Sequence, residues 1–211
     1  MDIKNLRLNY KKSVIDFSNL DDSPIQYFMS WFADALTLNK DEANACILST
    51  ISKENTPSSR VVLLKEVNEG GFTFFTNYTS EKAIEIEGNP NVALNFYWPE
   101  LERQVRVVGM AKKISAKDSD AYFKSRPRES QMGAWLSNQS SELDLGHEFT
   151  GTLSTLESKF KDRDVERPLH WGGYCIVPNK IEFWQGRPSR LHDRLVYELD
   201  ENKWNKKRLA P

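Results

Sequence analysis

The chain has 211 residues, of which 39% are hydrophobic and 11% aromatic, and its formal net charge is −1. This composition predicts a packed globular fold and excludes a disordered one. The near balance of 29 basic and 30 acidic residues gives no global attraction to nucleic acid or to an anionic membrane, so we expect neither as a partner, and any anion site must come from local clustering of basic groups.

Neither the cysteines nor the histidines follow a disulfide or metal pattern. Cys46 and Cys175 have no CxxC neighbour, and the charged N-terminus lacks the apolar region of a signal peptide. The histidines are scattered without ligand spacing, which argues against a structural zinc site. No apolar run approaches the roughly 18–20 residues that a membrane-spanning helix needs. We expect a reduced, cytoplasmic protein.

An arm and a helix are the first predicted elements. Residues 1–22 are polar and mixed, and we expect them to form an arm outside the core. Ser23 suits a helix N-cap and Pro24 suits the first helical position. Apolar residues then recur at helical spacing, which predicts an amphipathic helix over about 24–38.

Strand-like runs dominate the remainder of the chain. They are predicted at 45–51, 60–66, 72–76, 92–98, 103–114, 174–177, 180–184, 194–199 and 204–209. Helices are predicted between them at about 80–88, 117–124, 128–137 and 152–161. The Gly-containing turn at 68–71 predicts a hairpin between the second and third runs. Since strands and helices do not alternate regularly, we expect a mainly β fold with flanking helices, an antiparallel barrel within one domain over 23–211.

Common catalytic signatures are absent from the sequence. It contains no GxGxxG, GxxxxGK[ST], GxSxG or HExxH pattern. Classical dinucleotide binding, P-loop chemistry, the α/β-hydrolase nucleophile and zinc proteolysis therefore lose support. Neither cysteine has an obvious histidine partner, so nothing favours thiol catalysis.

Two segments place basic residues at element ends. Arg60 and Lys65 flank an apolar run, five residues apart, so they fall on opposite faces of a regular strand; solvated strand ends are the simpler reading. Farther along, a strand ends and a helix begins near Ser80. Its free N–H groups, together with Lys82, suit a phosphate, although an ordinary N-cap is the alternative.

Two further segments carry polar groups suited to a ligand. Gln104 lies in the stretch LERQVR (101–106), where its amide could hydrogen-bond a heterocycle or simply face solvent. At 122–131, Pro127 separates two helices, and arginines with a serine gather at the junction. Arginine suits bidentate phosphate contact, and a solvated basic turn is the alternative.

The stretch 184–194 (WQGRPSRLHDR) is the strongest single pattern. In an alternating register Arg190, His192 and Arg194 share one face, and Asp193 on the other face cannot neutralise them. Charged protection of an edge strand is the alternative. Because Trp184 and a histidine are unusual choices for such protection, we favour a functional site.

In combination, the motifs resemble those of the pyridoxamine/pyridoxine 5′-phosphate oxidase family. The resemblance runs from about residue 45 to the C-terminus and rests on several motifs in the same order. They are SRVVLLK (59–65), FFTN..S.K (74–82), LERQV (101–105), YF.SRPR.SQ.GAW (122–135), NQSS (138–141), WGG (171–173), IEFWQG (181–186), RLHDR (190–194) and RLAP (208–211).

The resemblance implies an FMN-binding split barrel, dimeric, with FMN at the dimer interface. By position, the implied FMN contacts are Arg60, Val61, Val62, Leu63, Leu64, Lys65, Phe75, Thr76, Lys82, Gln104, Gln139, Ser140, Trp184 and Arg194. The implied substrate contacts are Lys65, Tyr122, Arg126 and Ser130 for the phosphate, Arg190, Leu191 and His192 for the pyridine ring, and Arg7 and Tyr10 in a lid formed by residues 1–22.

The resemblance also implies the reaction. Pyridoxine or pyridoxamine 5′-phosphate is oxidised to pyridoxal 5′-phosphate, dioxygen is reduced to peroxide, and Arg190 and His192 act as catalytic residues that orient the substrate and assist proton movement. Another flavin enzyme on the same barrel, or a non-catalytic module that binds flavin or a vitamin B6 phosphate, are the alternatives.

One position departs from the family pattern. The family has arginine before the lysine at the phosphate helix, whereas this chain has Glu81 before Lys82. A carboxylate beside a phosphate is unfavourable unless it points away. We therefore expect Glu81 to face solvent, leaving the phosphate to Lys82, Arg60 and the helix N-terminus.

Overall fold

A computed structural model describes residues 4–5, 8–136, 139–146 and 150–211, without the side chains of 150–154. The helices in these ranges are α1 (Pro24–Leu38), α2 (Glu81–Gly88), α3 (Ala116–Ser125), α4 (Arg128–Leu136) and α5 (Thr150–Lys159). The strands are β1 (Ala45–Ile51), β2 (Pro57–Leu63), β3 (Glu66–Asn68), β4 (Gly71–Asn77), β5 (Asn91–Trp98), β6 (Arg103–Lys113), β7 (Trp171–Gln185), β8 (Asp193–Asp200) and β9 (Lys203–Leu209). No described helix has the length and apolarity to cross a membrane.

The strands form one curled antiparallel sheet. Its order is β2-β1-β5-β6-β7-β4-β3, and β8 and β9 extend it from β7. β2 and β3 belong to one run of chain that leaves β1 and joins β4, where the backbone N–H of Lys65 donates to Thr73 O at 2.8 Å. The continuous chain thus joins the two ends of the curled sheet, which gives it the form of a partly closed barrel. The predicted mainly β fold is confirmed.

Two details of the predicted strands were wrong. The hairpin at 68–71 joins β3 to β4, whereas the apolar run before it pairs with β1. The runs predicted at 174–177 and 180–184 are one strand, because a register shift opposite Val108 and Gly109 accommodates Pro178 within the ladder. A bulge is the usual place where a sheet tolerates proline.

The core lies between α1 and the inner face of the barrel. Ser23 caps α1 by accepting a hydrogen bond from Gln26 N at 3.3 Å, as the sequence predicts. Phe28 is fully buried, with its ring 4.9 Å from Phe72 and 5.1 Å from Phe96. Truncation of such a buried ring to alanine costs about 3–5 kcal/mol, so α1 is part of the barrel fold.

A second, smaller apolar cluster supports α3 and α4. It contains Phe123, Met132, Phe160, Val165 and Trp171. Arg128 also stabilises this region, because its guanidinium donates to the carbonyl oxygens of Phe160 and Arg163 at 2.6 and 3.1 Å. The junction between α3 and α4 is therefore fixed against the start of β7.

Candidate active site

A pocket of about 440 Å³ lies between the barrel and the α3–α4 junction. We call it the anion pocket. It is lined by Val61, Val62, Leu63, Lys65, Phe75, Thr76, Lys82, Tyr122, Arg126, Pro127, Ser130, Gln139 and Trp171. Most of the cofactor and phosphate residues expected from the sequence thus meet in one place. Pro127 and Trp171 were not expected there, although Trp171 belongs to the quoted WGG stretch.

Arg126 has the geometry of an anion ligand. Its guanidinium lies 4.6 Å from the centre of the Trp171 ring, and its buried Nη1 has no hydrogen-bond partner among the described residues. Beside it, the Tyr122 ring stacks on Phe75 with 3.9 Å between centroids. Burial lowers the pKa of Arg126, but a guanidinium stays charged in proteins. A buried guanidinium nitrogen without a hydrogen-bond partner is costly unless a ligand supplies the acceptor.

Lys82 supplies a second cation at the start of α2. Its side chain is buried, and Nζ lies 3.5 Å from Thr76 Oγ1 and 3.4 Å from Ser80 Oγ. Burial, followed by the nearby charge of Arg60, lowers the pKa of Lys82. Among the described residues no carboxylate reaches ion-pair distance of Nζ. The hydroxyls, the ammonium and the helix N-terminus together suit a phosphate.

Arg60 does not line the anion pocket, although its charge lies close to Lys82. Its guanidinium contacts Thr50 and lies 3.1 Å from Glu85 Oε2 and 3.7 Å from Glu81 Oε2. Glu81 faces solvent, as expected, with 66% of its side chain exposed. However, the two carboxylates neutralise Arg60. The sequence had suggested that Arg60 would be available to a phosphate. Leu64 is buried in the core, so only its backbone could face a cofactor.

The loop after α4 reaches the strand end of the pocket. Gln139 Oε1 accepts from Thr76 Oγ1 at 3.2 Å and from Asn77 N at 3.4 Å. Ser140 follows in the left-handed region with φ of 72°. It lines a neighbouring cavity of about 540 Å³ with Glu81 and Lys53. Both predicted residues therefore lie near the start of α2.

A second group of predicted residues gathers at the far end of β7. We call it the C-terminal cluster; it contains Tyr10, Gln104, Trp184, Arg190, His192 and Arg194. Trp184 lies opposite Gln104 on β6 and opposite Arg194 on β8. Ring centroids are 4.6 Å apart for Trp184 and His192, 5.7 Å for Tyr10 and Trp184, and 5.9 Å for Tyr10 and His192. None of these residues lines the anion pocket.

The predicted register of 190–194 was wrong. Arg190 ends a one-turn 3₁₀ helix, Pro188–Arg190, and β8 begins only at Asp193. Ser189 and Arg190 have φ of 56° and 62°, a left-handed conformation incompatible with an extended strand. Arg190, His192 and Arg194 therefore do not share a strand face. The Pro188 ring is the physical reason, since it offers no N–H to the ladder.

One carboxylate, that of Glu182, neutralises a member of this cluster, whereas Asp193 pairs with none of the three basic groups, as expected. Arg194 Nε donates to Glu182 Oε1 at 2.8 Å. Asp193 is buried and pairs with Arg187 at 2.9 Å and with Arg208 at 3.2 Å. Glu182 lies on β7, so adjacency in sequence did not reveal it as the partner of Arg194. Arg190 is exposed and has no ion pair among the described residues.

His192 is held in one tautomer. Its Nδ1 accepts the backbone N–H of Arg187 at 3.1 Å, so the neutral ring carries its proton on Nε2. Burial, then the charge of Arg190, lowers the pKa of His192, which keeps the ring neutral near pH 7. Leu191 is largely exposed beside it. Arg7 lies outside the described residues.

Comparison with known proteins shows similarity over almost the whole chain. The family model described as pyridoxamine 5′-phosphate oxidase matches residues 33–160, and that of the pyridoxine 5′-phosphate oxidase C-terminal dimerisation region matches 171–211. A protein of Actinobacillus pleuropneumoniae serotype 5b named pyridoxine/pyridoxamine 5′-phosphate oxidase is 50% identical over 211 residues, covering 100% of both chains. One of the same name from Cyanothece sp. is 48% identical, covering 99% of this chain and 98% of its own.

Solved structures show the same architecture. PhzG from Burkholderia lata 383, in complex with tetrahydrophenazine-1-carboxylic acid, superposes with a TM-score of 0.89 at 27% identity, over 96% of this chain and 100% of its own. A pyridoxamine 5′-phosphate oxidase-related, FMN-binding protein from Nostoc punctiforme superposes with a TM-score of 0.73 at 16% identity, over 91% and 100%.

Proposed function

The chain belongs to the pyridoxine/pyridoxamine 5′-phosphate oxidase family, and we propose that it oxidises the 5′-phosphates of pyridoxine and pyridoxamine to pyridoxal 5′-phosphate. Dioxygen accepts the electrons and leaves as hydrogen peroxide; the amine substrate also consumes water and releases ammonia. The anion pocket carries the proposal, because the buried, unpartnered Nη1 of Arg126 calls for an anionic ligand. Its volume of about 440 Å³ suits a small phosphorylated ring.

The residues of the pocket also fit the phosphate end of FMN. We propose that Lys82, Thr76 and the N-terminus of α2 hold that phosphate, since they supply charge and donors without a competing carboxylate on Lys82. Val61 and Leu63 expose 67% and 46% of their surfaces along β2 and would cover the flavin ring. When bound, FMN supplies the two-electron acceptor for the substrate carbon and passes the electrons to dioxygen.

One protomer alone cannot place both its anion pocket and its C-terminal cluster around the same substrate molecule. Trp171 of the anion pocket and Trp184 of the C-terminal cluster are at opposite ends of β7, about 40 Å apart along the strand. A vitamin-sized substrate cannot span that distance. We infer that a second copy supplies its C-terminal cluster to the anion pocket of the first, because a two-fold dimer would pair the halves reciprocally.

The outer face of the barrel supports this homodimer. Ile47, Val61, Tyr97 and Met110 expose 41%, 67%, 49% and 43% of their surfaces there. Between them, the buried Asn95 Oδ1 has no partner among the described residues. An apolar face with an unsatisfied amide oxygen is typical of a protein interface. Within each copy, we propose that residues 23–211 form one domain and that residues 1–22 form an arm outside it.

The chain's own residues provide positioning and hydrogen bonding. We propose that Lys65, Tyr122, Arg126 and Ser130 bind the substrate phosphate, a remote contact whose binding energy aligns the reacting carbon. Since Nδ1 of His192 is already occupied, its Nε2–H acts as a hydrogen-bond donor to the substrate and not as a base.

The two cysteines bear on the cellular compartment of the protein. Cys46 and Cys175 are both unpaired, and burial raises the pKa of the Cys46 thiol to about 12. Free, unreactive thiols suit a reducing compartment, and we propose the cytoplasm.

Mixed dimers test the reaction and the shared site together. Arg126→Ala and Arg190→Ala chains each lose one half of the site. In a mixed dimer one of the two sites is intact, so at pyridoxine 5′-phosphate concentrations well below the wild-type KM, random mixing should restore about a quarter of wild-type peroxide release. No restoration, from two variants that each bind flavin, would mean that each site belongs to one chain.

The same assay separates the competing classes. Peroxide release from the flavin-loaded wild type on addition of pyridoxine 5′-phosphate identifies the oxidase. Reduction only by a nicotinamide cofactor would identify another flavin enzyme on this barrel. Binding of pyridoxine 5′-phosphate without turnover would identify a non-catalytic module.

A further inference from the structure

Glu102 has an unusual backbone for its residue type. It follows a one-turn 3₁₀ helix, Pro99–Leu101, at the start of β6, with φ of 54° and ψ of 38°. Residues other than glycine and asparagine rarely adopt this left-handed backbone conformation. Glu102 is also buried, with 8% of its surface exposed. A strained, buried carboxylate calls for a role that glycine could not fill.

The Glu102 carboxylate holds the N-terminal arm. A single oxygen, Oε2, accepts the backbone N–H groups of Lys11 at 2.8 Å and Lys12 at 2.9 Å. The backbone oxygen of Glu102 also accepts Gly186 N at 2.7 Å, which ties the same residue to the end of β7. Hydrogen bonds to a carboxylate are about twice as strong as neutral ones, and the Lys12 ammonium adds a second attachment by donating to the backbone oxygen of Glu100.

The attachment fixes Tyr10 over the C-terminal cluster. The Tyr10 ring packs edge-on against Trp184 and His192, and a Cβ at Gly186 would lie only 2.8 Å from Tyr10 Cγ. The close approach thus depends both on the missing side chain of Gly186 and on the register of the arm. A shift of one residue would replace Tyr10 with a neighbour of different shape.

We propose that Glu102 is a positioning residue that latches the arm over the substrate. Substrate must enter and product must leave past Tyr10, so the arm has to release and re-engage. Because both N–H groups share one oxygen, they are released together when Glu102 moves. The inference deepens the proposed function and rests on it, but the attachment itself exists without substrate.

Trypsin provides a readout that is independent of activity. The bonds after Lys11 and Lys12 are cleavable only when this backbone leaves Glu102. We expect cleavage there, followed by mass spectrometry, to be about tenfold faster in Glu102→Ala than in the wild type. Glu100→Ala removes an exposed neighbouring charge but keeps the backbone oxygen that accepts the Lys12 ammonium, and should be cleaved at the wild-type rate. Equal rates for all three proteins would overturn the latch.

Two further variants separate the latch from folding. Glu102→Gly relieves the backbone strain, so the fold persists while the arm is freed, and cleavage should match that of Glu102→Ala. Glu102→Gln keeps one acceptor oxygen and should restore part of the protection. In holoenzyme, the alanine variant should raise KM for pyridoxine 5′-phosphate about tenfold with unchanged FMN affinity. Loss of FMN together with the KM change would instead show a structural role.

Discussion

The anion pocket and the C-terminal cluster are both basic, yet their charges are balanced differently. In the pocket, Arg126 and Lys82 have no described carboxylate at ion-pair distance, and Arg126 keeps a buried nitrogen without a partner. In the cluster, the buried carboxylate of Glu182 holds Arg194. An uncompensated buried cation favours an anionic ligand, whereas a compensated one fixes geometry. The difference in charge balance therefore assigns recognition of an anionic ligand to the anion pocket and its orientation to the C-terminal cluster.

Arg190 is the exception within the C-terminal cluster, because it is exposed and unpaired among the described residues. If it orients substrate, Arg190→Ala should lower kcat by about 100-fold or more. Flavin absorbance should remain, since Arg190 lies outside the anion pocket. Lys180→Ala, which removes a surface cation that pairs with Glu198 farther along β7 and β8, is the control. Near-normal turnover would remove Arg190 from the mechanism.

Arg126 should affect substrate binding more than turnover. Loss of a charged hydrogen bond to phosphate costs about 1.5–3 kcal/mol, so Arg126→Ala should raise KM for pyridoxine 5′-phosphate about 10–100-fold. Turnover of unphosphorylated pyridoxine should not change. Lys124→Ala is the matched control, because it removes an exposed cation from the end of α3 without touching the contacts that fix the α3–α4 junction. An equal loss on the unphosphorylated alcohol would show that Arg126 does not read the phosphate.

Substitution of Glu81 tests whether the start of α2 is also an anion site. Glu81→Arg removes a carboxylate from Arg60 and adds a cation at a helix N-terminus, so FMN should bind about three- to tenfold tighter at low salt. A fluorescence titration against Glu100→Arg, an equal charge change elsewhere, measures the gain. No gain would mean that residue 81 has no influence on the cofactor phosphate.

The smallest expected effect concerns pH. Burial and Arg190 lower the pKa of His192, and a lowered pKa means that the neutral ring persists below the ordinary histidine value of about 6.5. The acid limb of kcat/KM should therefore lie below that pH. His192→Gln keeps a hydrogen-bond donor without titrating, so its profile should lack the limb. A limb of unchanged position in this variant would assign it to another group.

Local signals in the sequence were sufficient for many elements. α1 has the predicted bounds, because Ser23 and Pro24 mark its start and its apolar spacing continues to the end. β5 buries Val92, Leu94 and Phe96 on one face, as alternation predicts. Clusters within one segment, such as the arginine and serine at the α3–α4 junction, were also recognisable.

Features that depend on partners distant in the sequence could not be predicted. The switch of the chain from β1 to β4 at Leu64 and Lys65 has no local signature, since both halves read as one apolar run. The same holds for the acidic partners of the C-terminal cluster. Glu182 and Glu102 are charged residues in strand-rich sequence, and only the sheet register shows what each of them contacts.

The central position of β7 also sets an order of assembly. Residues 171–176 of β7 pair with β4, residues 174–185 pair with β6, and residues 180–185 pair with β8. During synthesis, β4 and β6 are complete long before residues 171–185 emerge, so each keeps an open hydrogen-bonding edge until then. Sheets built from such distant pairings form slowly and expose aggregation-prone edges. The nascent chain is therefore most vulnerable while α3, α4 and α5 are being made.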